Sequence, residues 1–182
     1  KIASERQSGR GDPHRASLLR LFDEPDSYQP RVTFYRDSAA WCPYCQKTWM
    51  LLEEKRIPYR VELINMRSYG DKPTAFTDRV RGGLLPAVEL DGQMYTESLD
   101  IMVMLAREFA SSGKNVLFDL DEMNQLLRFE RSLFSSWCGD LFRGGMGTQF
   151  KLDLKKVETL IKGPFFLGEL SLVDLQYASH LE

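Results

Sequence analysis

Two cysteines lie three positions apart in the run Trp41-Cys42-Pro43-Tyr44-Cys45. The thiolate is the reactive form of cysteine, and an ordinary thiol, with a pKa of about 8.5, is mostly protonated at neutral pH. A redox site therefore has to lower that value for one sulfur. Proline is tolerated in the first turn of a helix, where no amide is required of it. Pro43 thus leaves Cys42 at a helix N-terminus, facing free amides and the positive end of the helix dipole. Cys45 then sits one turn further in and is the less exposed of the two. Cys42 is the expected nucleophile and Cys45 the expected resolving thiol. Inert core cysteines are the competing reading. Half of a zinc site is another, but zinc takes about four ligands. The remaining candidates, Cys138, His14 and His180, form no second pair, so no metal is expected.

To present Cys42 in this way the chain must pass from a strand into a helix just before it. The alternation in Arg31-Val32-Thr33-Phe34-Tyr35-Arg36 predicts a strand bounded by Pro30 and Asp37. Tyr44 to Lys55 predicts an amphipathic helix, with Trp49, Met50, Leu51 and Leu52 opposed to Lys47, Glu53, Glu54 and Lys55, and Pro58 ends it. Tyr59 to Ile64 is a second strand, Thr74 to Arg81 a short helical segment, and Ala87 to Leu90 and Gln93 to Thr96 a hairpin closed by Asp91-Gly92. Ser98 to Ala110 is a helix. This order, over residues 31–110, is that of an α/β thioredoxin-like domain with a mixed four-stranded sheet. Residues 111–117 form a polar linker, and residues 118–182 read as an all-α domain with helices from Glu122 to Phe142 and Leu152 to Lys162. Ser171-Leu172-Val173-Asp174 has the form of a capping box, which serves folding.

Residues 1–30 form an N-terminal extension rich in Arg, Ser, Gly, Asp and Pro, with one apolar cluster of Leu18, Leu19, Leu21 and Phe22 that reads as a helical turn or two. Packing of that cluster and docking of a partner are both open. The chain opens on Lys1 rather than Met, so the N-terminus is expected to be processed, cut, or simply the first residue of the stretch given.

The composition narrows the function classes. Of 182 residues, 43% are hydrophobic and 27% charged, as in ordinary globular proteins. Twenty-four Lys and Arg against 26 Asp and Glu give a formal charge of −2, with no basic field for nucleic acid. No apolar run approaches the roughly 20 residues of a membrane-spanning helix. Three cysteines are too few for a disulfide framework, so a reducing compartment is expected, the cytoplasm or an organelle matrix such as the plastid stroma.

Trp41-Cys42-Pro43-Tyr44-Cys45 resembles the glutaredoxin active-site sequence. With Leu85-Pro86-Ala87-Val88-Glu89-Leu90 and Glu97-Ser98 it resembles the glutathione transferase superfamily, and in it the cysteine-type omega, lambda and dehydroascorbate reductase classes. The resemblance implies a set of glutathione contacts. Leu85-Pro86 matches the family's cis-proline position, where the Leu85 backbone would pair with the cysteinyl part of glutathione. Glu97-Ser98 matches the pair that receives the γ-glutamyl group, Ser98 capping the helix. Lys72 resembles the lysine that reaches the glycine end, and Trp41 and Tyr44 wall the thiol. The sequence departs from the family twice. Cys45 stands where single-cysteine members have a small residue, which opens a dithiol route. The stretch from Arg143 to Lys151 is abrupt and the last helices are absent, so the helical domain reads as incomplete.

The expected function is a glutathione-dependent thiol transferase or reductase, with glutathione as co-substrate and a small disulfide or an oxidised molecule such as dehydroascorbate as acceptor. The alternatives are a structural or regulatory subunit of a larger assembly, and conventional glutathione conjugation, which lacks a Tyr or Ser at the Cys42 position. A homodimer or larger assembly is the expected partner state, with neither nucleic acid nor membrane span.

Overall fold

Val32 and Phe34 alternate with Thr33 and Tyr35 and are wholly buried, which sets the first long strand of the computed structural model. The structure describes residues 4, 7–117, 120–143 and 147–181. It divides into two units, Lys1–Asn115 and Val116–Glu182.

The first unit is built on a mixed five-stranded sheet in the order β1-β3-β2-β4-β5. The strands are β1 (Leu19–Arg20), β2 (Val32–Asp37), β3 (Tyr59–Ile64), β4 (Ala87–Leu90) and β5 (Gln93–Tyr95). β2 runs parallel to β3, pairing Val32 with Tyr59 through to Asp37 with Ile64, and antiparallel to β4, pairing Val32 with Leu90 and Tyr35 with Ala87. Parallel neighbours need a crossover, and α1 (Pro43–Glu54) supplies it. It buries Leu51 and Leu52 completely. β4 and β5 form the hairpin that the Asp-Gly turn predicts; Asp91 and Gly92 both take positive φ, 50° and 86°, as a two-residue hairpin turn of this kind requires. The segment expected over Thr74 to Arg81 resolves into α2 (Thr74–Thr77) and a 3-10 turn at Arg81–Gly83. The unit's last helix, α3 (Ser98–Glu108), buries Ile101, Met102 and Leu105.

The sheet has five strands and not the four expected. The cluster around Leu19 is extended, not helical, and its two-residue strand pairs antiparallel with β3, Leu19 opposite Arg60 and Arg20 opposite Tyr59. The amide of Val61 also donates to the Leu18 carbonyl at 2.9 Å. Without it β3 would be an edge strand with a bare row of amides and carbonyls. Arg20 is buried, and its guanidinium donates twice to the Glu53 carboxylate, at 2.9 and 2.7 Å, and once to the Gly11 carbonyl, at 2.7 Å. The Tyr59 hydroxyl donates to the same carboxylate at 2.6 Å. The segment before β2 is thus tied to both the sheet and α1. The turn after α3 is tied to α1 as well: the buried Lys55 donates to the carbonyls of Ser112 and Lys114, at 2.7 and 3.0 Å. Gly113, at φ 57°, crosses so close that a Cβ there would stand 2.5 Å from the Lys55 Cα, which leaves room for glycine alone.

The second unit contains α4 (Leu120–Arg143), α5 (Thr148–Leu160) and α6 (Leu172–Leu181). α5 begins four residues before the expected Leu152, behind Gly147 in the left-handed conformation at φ 65°. Of the abrupt stretch in the sequence, Gly144, Gly145 and Met146 lie outside the described residues. Asp174 accepts the Ser171 amide at 2.8 Å, the Ser171 hydroxyl at 2.5 Å and the Phe166 amide at 2.9 Å. Among the described residues no helix is long and apolar enough to cross a membrane.

Candidate active site

β2 ends on Asp37, and the four residues that follow turn the chain into α1. Ala40 takes a positive φ of 62° in that turn, a conformation uncommon outside glycine. Cys42 is the N-cap of α1 in extended backbone (φ −74°, ψ 113°), and Pro43 is the first helical residue. The Cys42 sulfur accepts the Cys45 amide at 3.4 Å. It has the place that a serine or aspartate oxygen takes in an ordinary helix cap.

The two thiols are both free and buried, and their acidities diverge. The Cys42 thiol is pushed down to about 7, first by the hydrogen bond from the Cys45 thiol and then by the amides of Cys45 and Tyr44, against the opposing effect of burial. The Cys45 thiol is pushed up by burial and by the neighbouring Cys42. This division matches a nucleophile and a resolving partner. The largest contribution to the acidity of Cys42 is thus the second cysteine, and the helix-terminal amides come after it.

The carbonyl of Leu85 lies 4.0 Å from the Cys42 sulfur, and the Leu85–Pro86 peptide bond is cis. Lys72 donates to the Gly83 carbonyl, so the loop before α2 is fastened to the turn that leads into Leu85. Burial and the Arg67 charge hold the Lys72 ammonium below the usual lysine value, whereas Cys45, Cys42 and Asp37 attract it. Trp41 is 75% exposed beside the thiol. Its ring meets Tyr69 edge-on, centroids 6.0 Å apart. The Tyr44 ring lies under the Lys47 ammonium at 4.7 Å. Cys42, Cys45, Leu85 and Lys72 are therefore gathered at one place.

Glu97 and Ser98 lie at the start of α3, and among the described residues no hydrogen bond joins either of them to the thiols. Their roles at the helix terminus also differ from the expectation. Glu97 is the N-cap, at φ 65° and ψ 110°, and makes no side-chain cap, while Ser98 is the first helical residue. Three contributors escape sequence reasoning: Asp37, Arg36 and Tyr69. The one available signal for the first two is an Arg-Asp pair closing a buried strand just before the cysteines.

Residues 41–108 match the glutathione S-transferase N-terminal domain. The chain is 32% identical to glutathione S-transferase DHAR2 of Arabidopsis thaliana, over 77% of this chain and 65% of that protein. The first unit therefore carries a glutathione S-transferase N-terminal domain. Protein IN2-1 homolog A of Oryza sativa subsp. japonica is 27% identical over 99% of this chain and 76% of its own length. Among solved structures, glutathione transferase Omega 3C from Trametes versicolor superposes with a TM-score of 0.70 at 26% identity, covering 85% of this chain and 73% of that one. The chain therefore spans about two thirds to three quarters of the length of these proteins.

Proposed function

We propose that the chain is a glutathione-dependent thiol transferase or reductase with Cys42 as its nucleophile. The observation that carries this reading is the Cys42 sulfur at the N-cap of α1, accepting the Cys45 amide, with its thiol pushed down to about 7. The Cys42 thiolate attacks the glutathionyl sulfur of a mixed disulfide between glutathione and a substrate. A Cys42–glutathione disulfide forms, the original S–S bond breaks, and the substrate leaves as a thiolate. The thiolate of a second glutathione then attacks the glutathionyl sulfur, which yields glutathione disulfide and returns the Cys42 thiolate. Cys45 offers another exit. Once deprotonated, it attacks the Cys42 sulfur, expels glutathione thiolate and closes a Cys42–Cys45 disulfide, which two further glutathiones reopen. An oxidised small molecule such as dehydroascorbate is the other acceptor class.

In this reading the Leu85 backbone pairs with the cysteinyl part of glutathione as an added strand, and Pro86 fixes its direction. The amides at the start of α3, with Ser98, hold the γ-glutamyl carboxylate, and Glu97 takes the ammonium. Lys72 takes the glycine carboxylate, and Trp41 and Tyr44 flank the sulfur. The site acts in a reducing compartment, cytoplasm or organelle matrix, in a chain that forms a homodimer or joins a larger assembly.

The test is glutathione-dependent reduction of a small mixed disulfide by the whole chain beside Cys42→Ser and Cys45→Ser. Loss with Cys42→Ser alone is the monothiol route, and loss with both is the dithiol route. Undiminished reduction by Cys42→Ser contradicts the proposal.

A further inference from the structure

The turn that delivers Cys42 owes its shape to one side chain. Asp37 is completely buried. One carboxylate oxygen accepts the Ala39 amide at 3.1 Å, and the other accepts the amides of Trp41 and Cys42 at 2.7 and 3.2 Å. Its backbone carbonyl accepts the Ala40 amide at 3.2 Å. Every amide from 39 to 42 thus ends on Asp37. Ser38 completes the account: its amide donates to the Ile64 carbonyl at 3.0 Å and its hydroxyl to the Asn65 side chain at 2.8 Å. A turn with a left-handed alanine at its centre persists only where its surroundings over-determine it, and here they do.

A fully buried carboxylate needs a compensating charge. Arg36, next to it in β2, is 1% exposed. Its guanidinium donates to the Asp37 carbonyl at 2.9 Å and to the Arg15 carbonyl, and lies over the Trp49 ring at 4.6 Å. Burial pulls the guanidinium below its ordinary value, while the charges of Tyr59, Cys45 and Asp37 hold it up.

We propose that Asp37 is the positioning residue of the reactive turn, its buried carboxylate gathering the amides of Ala39, Trp41 and Cys42 so that the Cys42 thiol is held against Leu85, with Arg36 as its counter-charge. The proposal rests on the reading of Cys42 as nucleophile and extends it to a residue whose backbone hydrogen-bonds the Cys45 thiol but whose carboxylate binds the amides of the turn and neither thiol. The same carboxylate has an electrostatic effect on the site. Its charge raises both thiols, against the lowering of Cys42 by Cys45. The other charged groups that interact with the pair are Arg36 on β2, which the Cys45 charge holds up, and Lys72 on the loop before α2, which both thiols attract; Arg36 in turn faces Tyr59 on β3, Lys72 faces Arg67, and on α1 the Lys47 ammonium lies over the Tyr44 ring.

The experiment measures alkylation of Cys42 by iodoacetamide against pH, with the modified peptide identified by mass, and the glutathione-dependent reduction rate, for the whole chain and for Asp37→Asn and Asp37→Ala. Asparagine keeps one oxygen for Trp41 and Cys42, gives up Ala39 and removes the charge. The expected result is an alkylation midpoint shifted to lower pH in Asp37→Asn, since the carboxylate charge opposes the thiolate. In Asp37→Ala, where the turn is released, reduction is expected to be roughly 10- to 100-fold slower. A merely structural aspartate would lower stability and leave the midpoint in place. A midpoint in Asp37→Asn at or above that of the parent overturns the proposal even if Asp37→Ala fails to fold, and so does a parental reduction rate in a folded Asp37→Ala. Alkylation requires no glutathione. A shifted midpoint in a protein that never reduces the mixed disulfide therefore refutes the transferase reading and leaves the role of Asp37 standing.

Discussion

Two helix N-termini in this molecule meet the same physical demand with opposite results. Each leaves backbone amides without helical partners. At α6 the Asp174 carboxylate takes the Ser171 amide, the Ser171 hydroxyl and the Phe166 amide, so the terminus is closed by a fixed anion. At α1 the acceptor is the Cys42 sulfur, which takes the Cys45 amide at 3.4 Å. A carboxylate is ionised at any physiological pH, and its capping energy goes into folding. A thiol is ionised only if its surroundings favour it, so the same amides lower its pKa, and the Cys45 thiol lowers it further. In the proposed function the cap of α1 is therefore also the reactive group, and its acidity depends on a second side chain one turn along.

The comparison breaks most completely at Cys42. Cys42→Ser keeps an oxygen cap, so the helix should still form, while glutathione-dependent reduction should fall to background; retained activity would show that the cap is only a cap. The next largest effect separates the two donors. Cys45→Ala removes the thiol donor and leaves the backbone amide, so the Cys42 alkylation midpoint should rise from about 7 by roughly one pH unit or more. Cys45→Ser keeps an O–H donor and should move it less. The sign follows from the chemistry: losing a donor to the thiolate favours the protonated form. The smallest effect lies at the other terminus. Asp174→Ala should cost about 1–2 kcal/mol in urea unfolding with the Cys42 midpoint unchanged.

Most of the first unit's order was legible because it follows from local pattern. The alternation around Phe34 marks β2, Pro43 and Pro58 bracket α1, and Asp91-Gly92 specifies the hairpin. β1 was not legible. A two-residue strand has no periodicity, and the buried Arg20 within it is explained only by Glu53, which lies 33 positions away. The capping box before α6 was legible because its partners sit three residues apart. Glu97 and Ser98 were read one position out of place, since apolar spacing fixes a helix end only to within a residue or two. The cysteine spacing pointed to the pair proposed as reactive, but the part proposed for Asp37 depends on the left-handed turn at Ala40, and nothing in the residue types announces that conformation.

The central claim is that the cap of α1 is an activated thiolate, and the most direct test is the pH dependence of alkylation in the unmodified chain, resolved by mass for each cysteine. The account predicts that Cys42 reacts with a midpoint near pH 7 while Cys45 stays protected. A Cys42 midpoint at the ordinary thiol value of about 8.5, or faster labelling of Cys45, would contradict it.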